Sequence, residues 1–393
     1  PLPPTRLDAS RGFSFSSMML RPYGVLLLSF SPHSHQRNFV PGFVSHPRTQ
    51  IVAVADDDDT IDDDLRQLNR RHAEQLGVPY VPSVEAALAR EDVAIVSIAH
   101  DIERRADLAA RAAAAGKHLW IDKFLGATLQ ECDAVCAAVS SSGVRAIVPS
   151  YHYGSLVQQA LAVLDGPRLG DLLGVHADVL FSKGWPRPLE APFGRPTKPE
   201  GRWKYAHVKR ELLTVGAYAV GLLQACLSAP RTVVAHGGAR FFPEHARTGT
   251  EDFATLTLTD EAGRIGTLCA GRIGVATHPT GGPTLAHLVG TRATITLDAK
   301  RPGNYAFLRD EIVDARHRPD PDDPMQWASG PSALRAPLGE DPAGLLGALD
   351  DLVAAMDEGR APAYSVEQAR HNMEILLAGY RSMAAGGEAV DLR

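Results

Sequence analysis

VLLLSFSPHSH, residues 25–35, is the stretch on which the fold turns. Its four leading apolar residues read as a buried strand, and the polar run behind them reads as a sharp turn into a helix. A strand that enters a helix this abruptly opens a βαβ unit. In a dinucleotide-binding unit that turn carries three glycines: one for the tight turn, one for close approach to a pyrophosphate, one for packing of helix on strand. Here the three places hold Ser29, Ser31 and Ser34. Each serine adds a Cβ, and where positive φ is required a non-glycine costs about 1–2 kcal/mol. Pro32 also removes one amide donor. Serine hydroxyls can donate to phosphate instead, and a helix N-terminus still favours an anion. Two readings stay open: a widened loop that binds a dinucleotide less closely, and a degenerate loop that holds nothing.

Outward from this turn, strands and helices alternate. Strands are expected at 50–55 (QIVAVA), 80–81, 93–99 (VAIVSIA), 118–121 and 145–148, and helices at 61–76, 83–89, 103–115 and 128–141. Gly77 and Gly116 supply helix stops, and Thr128 with Glu131 forms a capping box. Such alternation implies a parallel sheet covered on both faces, with ligands at the carboxyl ends of its strands. The second half changes character. Helices at 155–164 and 210–227 flank a strand at 173–181, and strands follow at 232–240, 253–258, 265–270, 286–289 and 293–297 with few helices between. That spacing predicts a mostly antiparallel sheet. Two helices close the chain, at 342–357 behind Asp341 and at 365–384. Residues 316–337, rich in Pro, Asp and Ser, read as an exposed excursion. The expected fold class is α/β: a Rossmann-like doubly wound parallel sheet, then an α/β domain with a large open, mostly antiparallel sheet. The expected divisions are a leader at 1–21, the first domain at 22–149 and the second at 150–393.

Bulk properties exclude several classes. At 393 residues the chain is too long for one simple core. A net charge of −6 argues against a broad nucleic-acid surface. No run of about 18 apolar residues occurs, so no membrane partner is expected. The Pro- and Ser-rich first 19 residues lack the apolar block of a secretory signal and read as a disordered leader, with Met18 or Met19 as the expected start. Four cysteines, Cys132, Cys136, Cys226 and Cys269, do not suggest a disulfide framework, so a cytoplasmic location is expected. His33 and His35 show no ligand spacing, and no metal is expected.

AGKHLWIDKFLGATLQECDAVCAAV, residues 115–139, resembles the Gfo/Idh/MocA family of oxidoreductases, in which a strand ends in Glu-Lys-Pro before a helix opened by Thr or Ser. QIVAVAD, LLTVGAYAVGLLQACL, HLVGTRATITLD and ARHNMEILLAGYRSM resemble further family segments in the same order, so the likeness covers roughly 22–393. It implies an NAD(P)-binding Rossmann domain and a second domain whose open sheet binds substrate on one side and often forms an oligomer interface on the other. It implies oxidation or reduction of a CH–OH carbon in a sugar, cyclitol or related molecule, although some members are regulators. A homodimer or homotetramer is expected by the same analogy.

Individual residues carry this further. Ser29, Ser31 and Ser34 are the candidate phosphate contacts, and Asp56, behind the second strand, is the candidate ribose acceptor; an acid there favours NAD over NADP. His100 stands where the family has Thr beside the cofactor. Asp122 and His100 are further candidate cofactor contacts; Asp122 replaces the family's Glu, and Phe124 its Pro. NAD is the expected cofactor, with NADP and no cofactor as the alternatives. Lys123, just beyond an apolar strand, should face the crevice and stabilise an alkoxide or tune a neighbouring acid. Where the family commonly has Asp and His four apart on one helix, this chain has Thr214 and Tyr218. Tyr218 becomes the candidate acid/base group, with Lys123 lowering its pKa. Tyr151, His152 and Lys204 are candidate substrate contacts, as is Trp203. His176 and Asp178 share one strand face and could line either the substrate cavity or an oligomer face. The leading expectation is an NAD(P)-dependent oxidoreductase of a CH–OH group. The alternatives are a cofactor-free relative doing elimination or isomerisation, and a non-catalytic regulatory binder; no helix-turn-helix is evident.

Overall fold

The computed structural model describes residues 21–32, 34–149, 151–182, 208–273, 284–298, 318–319, 327–328 and 344–392. Its first half comprises β1 (Tyr23–Leu28), α1 (Gln36–Ser45), β2 (Thr49–Ala55), α2 (Asp63–Leu76), β3 (Tyr80–Val81), α3 (Val84–Leu88), β4 (Ile95–Ile98), α4 (Ile102–Ala114), β5 (His118–Ile121), α5 (Leu129–Ser142) and β6 (Ala146–Ile147). The six strands form one parallel sheet in the order β3-β2-β1-β4-β5-β6. This is the doubly wound order, and its switch point lies between β1 and β4. Apolar runs make the central strands: β1 from Gly24 on and all of β4 are buried, as two covered faces require. Trp120 on β5 receives Phe39 and Phe43 of α1 edge-on, at ring separations of 5.5 and 5.2 Å. These rings hold α1 against the sheet, and each buried aromatic is worth about 1.5–3 kcal/mol. The Thr128–Glu131 capping box opens α5 as the sequence predicts.

The second half comprises α6 (Ser155–Leu164), β7 (Leu172–Ser182), α7 (Glu211–Thr214), α8 (Gly216–Cys226), β8 (Pro230–Gly238), α9 (Pro243–Thr248), β9 (Phe253–Asp260), β10 (Ile265–Ile273), β11 (Thr284–Gly290), β12 (Thr294–Asp298), β13 (Arg318–Pro319), β14 (Trp327–Ala328), α10 (Leu345–Glu358), α11 (Val366–Ala384) and β15 (Val390–Asp391). Seven strands form a mixed sheet ordered β12-β11-β7-β10-β9-β8-β15, in which only β7 and β10 run parallel. β9 alternates half-buried and buried along its length, so one face carries the core. That face packs on α8 and α11.

Several elements differ from expectation. The helix expected at 210–227 breaks at Val215 (φ −101°, ψ −43°) into α7 and α8. α9 and β15 carry too little periodic sequence to be seen in advance. α10 starts at Leu345 behind Gly344, whereas Asp341 lies outside the described residues. The 316–337 excursion lies outside them too, except that β13 and β14 pair antiparallel. Residues 1–20 also lie outside them. Among the described residues no helix is long and apolar enough to cross a membrane.

Candidate active site

The serine turn keeps the backbone that glycine would supply. Ser29 has φ 65°, the left-handed region. Its hydroxyl is buried beside the Asp56 carboxylate and helps to hold it ionised. Phe30 turns away from the crevice and stacks on His72 of α2, with ring centroids 4.1 Å apart. Pro32 is exposed. Ser31 donates to Asp101 (2.7 Å), and Ser34 donates to the Ser31 carbonyl (2.9 Å). The left-handed strain at Ser29 gives a direct expectation: Ser29→Gly raises stability by about 1 kcal/mol, the relief of 1–2 offset by greater freedom of the unfolded chain. A denaturation midpoint that stays or falls would show that the Ser29 side chain contributes more than its strain costs.

Asp56 ends β2 as expected, but its carboxylate is only 1% exposed. It accepts from Asn69 Nδ2 (3.1 Å), the Asp57 amide (2.9 Å) and Arg104 Nη1 (3.4 Å). His100 Nδ1 accepts from the Asp101 amide (2.7 Å), and its Nε2 lies 3.4 Å from Asp56 and 3.3 Å from Arg104 Nη1. Burial pushes the Asp56 carboxyl up, but His100 and Ser29 outweigh it and hold the pKa below the usual range. A ribose hydroxyl reaching Asp56 therefore has to share or replace Arg104, the partner whose side chain is 24% exposed. Asp122, at the end of β5, accepts from the His35 amide (3.1 Å) and from His35 Nδ1 (2.9 Å) at the start of α1. Burial would raise its pKa; His35 and Arg105 prevail and lower it to about 2. Arg105 also donates to the Phe124 and His100 carbonyls (both 2.7 Å), tying together the loops behind β4 and β5. The turn, the ionised acid at β2 and the N-terminus of α1 fit a dinucleotide, with Arg104 as the group that must yield.

The expected pair does meet. Lys123 is 6% exposed and donates from Nζ to the Thr214 carbonyl (2.7 Å). Its ammonium lies 4.5 Å from the centre of the Tyr218 ring. The Lys123–Phe124 peptide is cis, with phenylalanine in the family's proline place. Burial lowers the Lys123 pKa to about 7; Asp122 opposes that, while Lys209 and Arg272 assist it. Tyr218 moves the other way. Burial, then Asp122, push its phenol well above the ordinary tyrosine value. The cation sits over the ring face and does not bring the phenol into range, so the expectation that Lys123 activates Tyr218 is corrected. A buried amine with its pKa lowered this far can exchange protons near neutrality. Thr214 contributes its backbone carbonyl, while its hydroxyl donates to the Arg210 carbonyl (2.8 Å).

Tyr151 is buried and packs edge-on against Tyr218 and Tyr364 (6.1 and 5.8 Å), forming the wall behind the lysine. His152 stacks on Tyr364 and lines a separate cavity of about 320 Å³ with Gln224, Glu367 and His371. Lys204 and Trp203 lie outside the described residues. His176 and Asp178 (Nε2 to Oδ1, 3.1 Å) gather with Cys269 on the sheet, away from the buried β9 face. Sequence reading missed the ion pair beside Lys123. Arg272 on β10 places Nε 3.2 Å from the Glu211 carboxylate, both side chains being buried. Its signal was Gly271-Arg272 at a strand end, a charge where an apolar residue was due. Below α7, Glu251 accepts from the Leu212 amide (2.8 Å) and the Tyr380 hydroxyl (2.5 Å), and burial raises it to about 7.

Comparison with known proteins agrees with this geometry. Residues 34–150 match the family model described as oxidoreductase family, NAD-binding Rossmann fold, and residues 157–296 match the GFO/IDH/MocA C-terminal domain. No curated protein sequence matches. Among solved structures, GenD2 from gentamicin A biosynthesis in complex with NAD is 21% identical, with TM-score 0.69 over 96% of this chain and 98% of that one. Scyllo-inositol dehydrogenase from Lactobacillus casei, with bound NAD(H) and scyllo-inositol, is 12% identical, with TM-score 0.69 over 94% and 99%. Myo-inositol 2-dehydrogenase from Lactobacillus plantarum is 13% identical, with TM-score 0.69 over 95% and 100%. At these identities the likeness carries the fold alone.

Proposed function

The chain belongs to the Gfo/Idh/MocA oxidoreductase family, and from that premise we propose that it oxidises or reduces a CH–OH carbon of a sugar, cyclitol or related small molecule with a nicotinamide dinucleotide. The observation that carries this reading is Lys123, a buried amine with a pKa near 7 at the carboxyl end of the parallel sheet. When bound, the dinucleotide supplies the hydride donor or acceptor. The backbone of the serine turn and the start of α1 would hold its phosphates, and Asp56, with Arg104 displaced, its adenosine ribose; an acid in that place favours NAD over NADP. Lys123 takes the proton of the substrate hydroxyl during oxidation and returns it during reduction. The Thr214 carbonyl fixes one N–H of the amine, and the Tyr218 ring stabilises its charged form by about 0.5–2 kcal/mol. Tyr151 keeps Tyr218 in place.

A panel of cyclitols and aldoses, followed through nicotinamide absorbance, tests the reading. Turnover of at least one supports it; no reduction of NAD or NADP by any of them counts against it. Tyr218→Phe keeps the ring and is expected to retain turnover within about tenfold, whereas Tyr218→Leu loses the contact with the cation. A collapse of turnover in Tyr218→Phe would put the phenol back in the proton path.

A second reading, a cofactor-free enzyme performing elimination or isomerisation with the same lysine, is favoured by one observation. Both Asp56 oxygens and the Ser31 hydroxyl already have protein partners. Under that reading the chain binds no nucleotide.

A further inference from the structure

Resting on the cleft at Lys123 as the place of reaction, the geometry points to a substrate that carries a carboxylate: a sugar or cyclitol acid whose carboxylate is bound by Arg272 while its reacting hydroxyl faces Lys123. Arg272 is 4% exposed, and its Nη1 is buried with no hydrogen-bond partner among the described residues. Its Nε is spent on Glu211, 3.2 Å from each carboxylate oxygen, and its guanidinium lies 5.6 Å from the centre of the Phe181 ring. A guanidinium N–H withheld from water without an acceptor is destabilising, so a chain that keeps one there needs a reason.

The group is held firmly for such a purpose. The Arg272 amide donates to the Asp252 carbonyl (2.7 Å), and Glu211 fixes Nε from the side. Lys123 and Arg272 are suspended from the same short helix, because Lys123 binds the carbonyl of Thr214 and Arg272 the carboxylate of Glu211, three residues earlier. The two anchor residues are three positions apart, a rise of about 4.5 Å along the helix, and the Arg272 charge is felt at the Lys123 amine. The charges also balance. With Lys123 protonated, the cations Lys123, Lys209 and Arg272 face the carboxylates of Asp122 and Glu211 and leave one positive charge over. One carboxylate neutralises it, whereas a neutral polyol leaves it uncompensated and a phosphate dianion overshoots. The planar guanidinium matches a carboxylate in shape as well. A bound carboxylate further favours the ammonium form of Lys123, so acid substrates should carry the pH profile upward.

Calorimetric titration and thermal shift with D-glucuronate, D-galacturonate and D-mannuronate, each against its methyl ester and its neutral aldose, test this, with glucose 6-phosphate as the competing anion. At least one acid is expected to bind about tenfold or more tighter than its ester, since a buried N–H rejects a partner that cannot pair with it. The double variant Arg272→Gln/Glu211→Gln removes both members of the ion pair, leaves no lone buried charge, and is expected to abolish the preference. Acids that bind no better than their esters, a preference surviving in the double variant, or a preference for the phosphate overturns the proposal. Nicotinamide absorbance followed in parallel separates the two ideas. Acids that bind without reducing NAD leave this proposal standing and remove the redox reading; aldoses oxidised as well as their acids do the reverse.

Discussion

Lys123→Met is expected to lower turnover by about 10²–10⁴-fold, the usual worth of a positioned acid or base, while leaving the fold in place. Methionine fills much of the same volume, and the buried amine it replaces carries a desolvation penalty. The cost is one unpaired acceptor, the Thr214 carbonyl, worth on the order of 1–3 kcal/mol. The pH profile sharpens the test. Burial lowers the Lys123 pKa to about 7, so the free amine gains population as pH rises through that value. Alcohol oxidation needs the free amine at the start and should accelerate across pH 7; carbonyl reduction needs the ammonium and should slow. Both inflections should vanish in Lys123→Met. An unchanged profile in the variant would assign the titration to another group.

The second large effect falls on the sheet that aims Arg272. Gly271 has φ 151°, and a Cβ placed there would lie 2.2 Å from the Asp252 carbonyl oxygen and 2.9 Å from the Phe253 Cα. Both obstacles are backbone, so no side chain can swing aside. Gly271→Ala therefore combines overpacking, about 1–3 kcal/mol, with backbone strain of about another 1–3 kcal/mol. The expected result is a clear drop in the denaturation midpoint, together with loss of substrate affinity, because the β9–β10 pairing must part beside Arg272. A variant as stable as wild type would show that the two strands have more freedom at this end than their register implies.

The architecture was legible because it rests on period. Apolar runs such as VAIVSIA and the capping box at Thr128 state strand and helix locally, and the alternation of elements dictates the parallel sheet. Lys123 was legible for the same reason: a charge directly behind a buried strand has one sensible direction to point. The break at Val215 was not, because α7 and α8 are both apolar and the helical pattern runs through the junction. The closure over Asp56 was equally hidden. Asn69 comes from α2 and His100 and Arg104 from the β4–α4 junction, and only the assembled sheet brings them onto one carboxylate. Tyr218 shows the limit most plainly. Its spacing from Thr214 puts it beside Lys123 correctly, but the direction of its pKa depends on burial and on whether the cation meets the ring or the hydroxyl. Arg272 and Glu211 lie 61 residues apart, and no local pattern announces that they pair.

Calorimetric titration of the whole chain with NAD, NADH and NADPH addresses the central claim most directly, that a turn built on Ser29 at φ 65° still receives a dinucleotide. The account predicts one-to-one binding of NAD or NADH with Kd below about 1 mM, equivalent to roughly 4 kcal/mol, and weaker binding of NADPH because Asp56 repels a 2′-phosphate. Absence of any heat of binding for all three at millimolar concentration would contradict it.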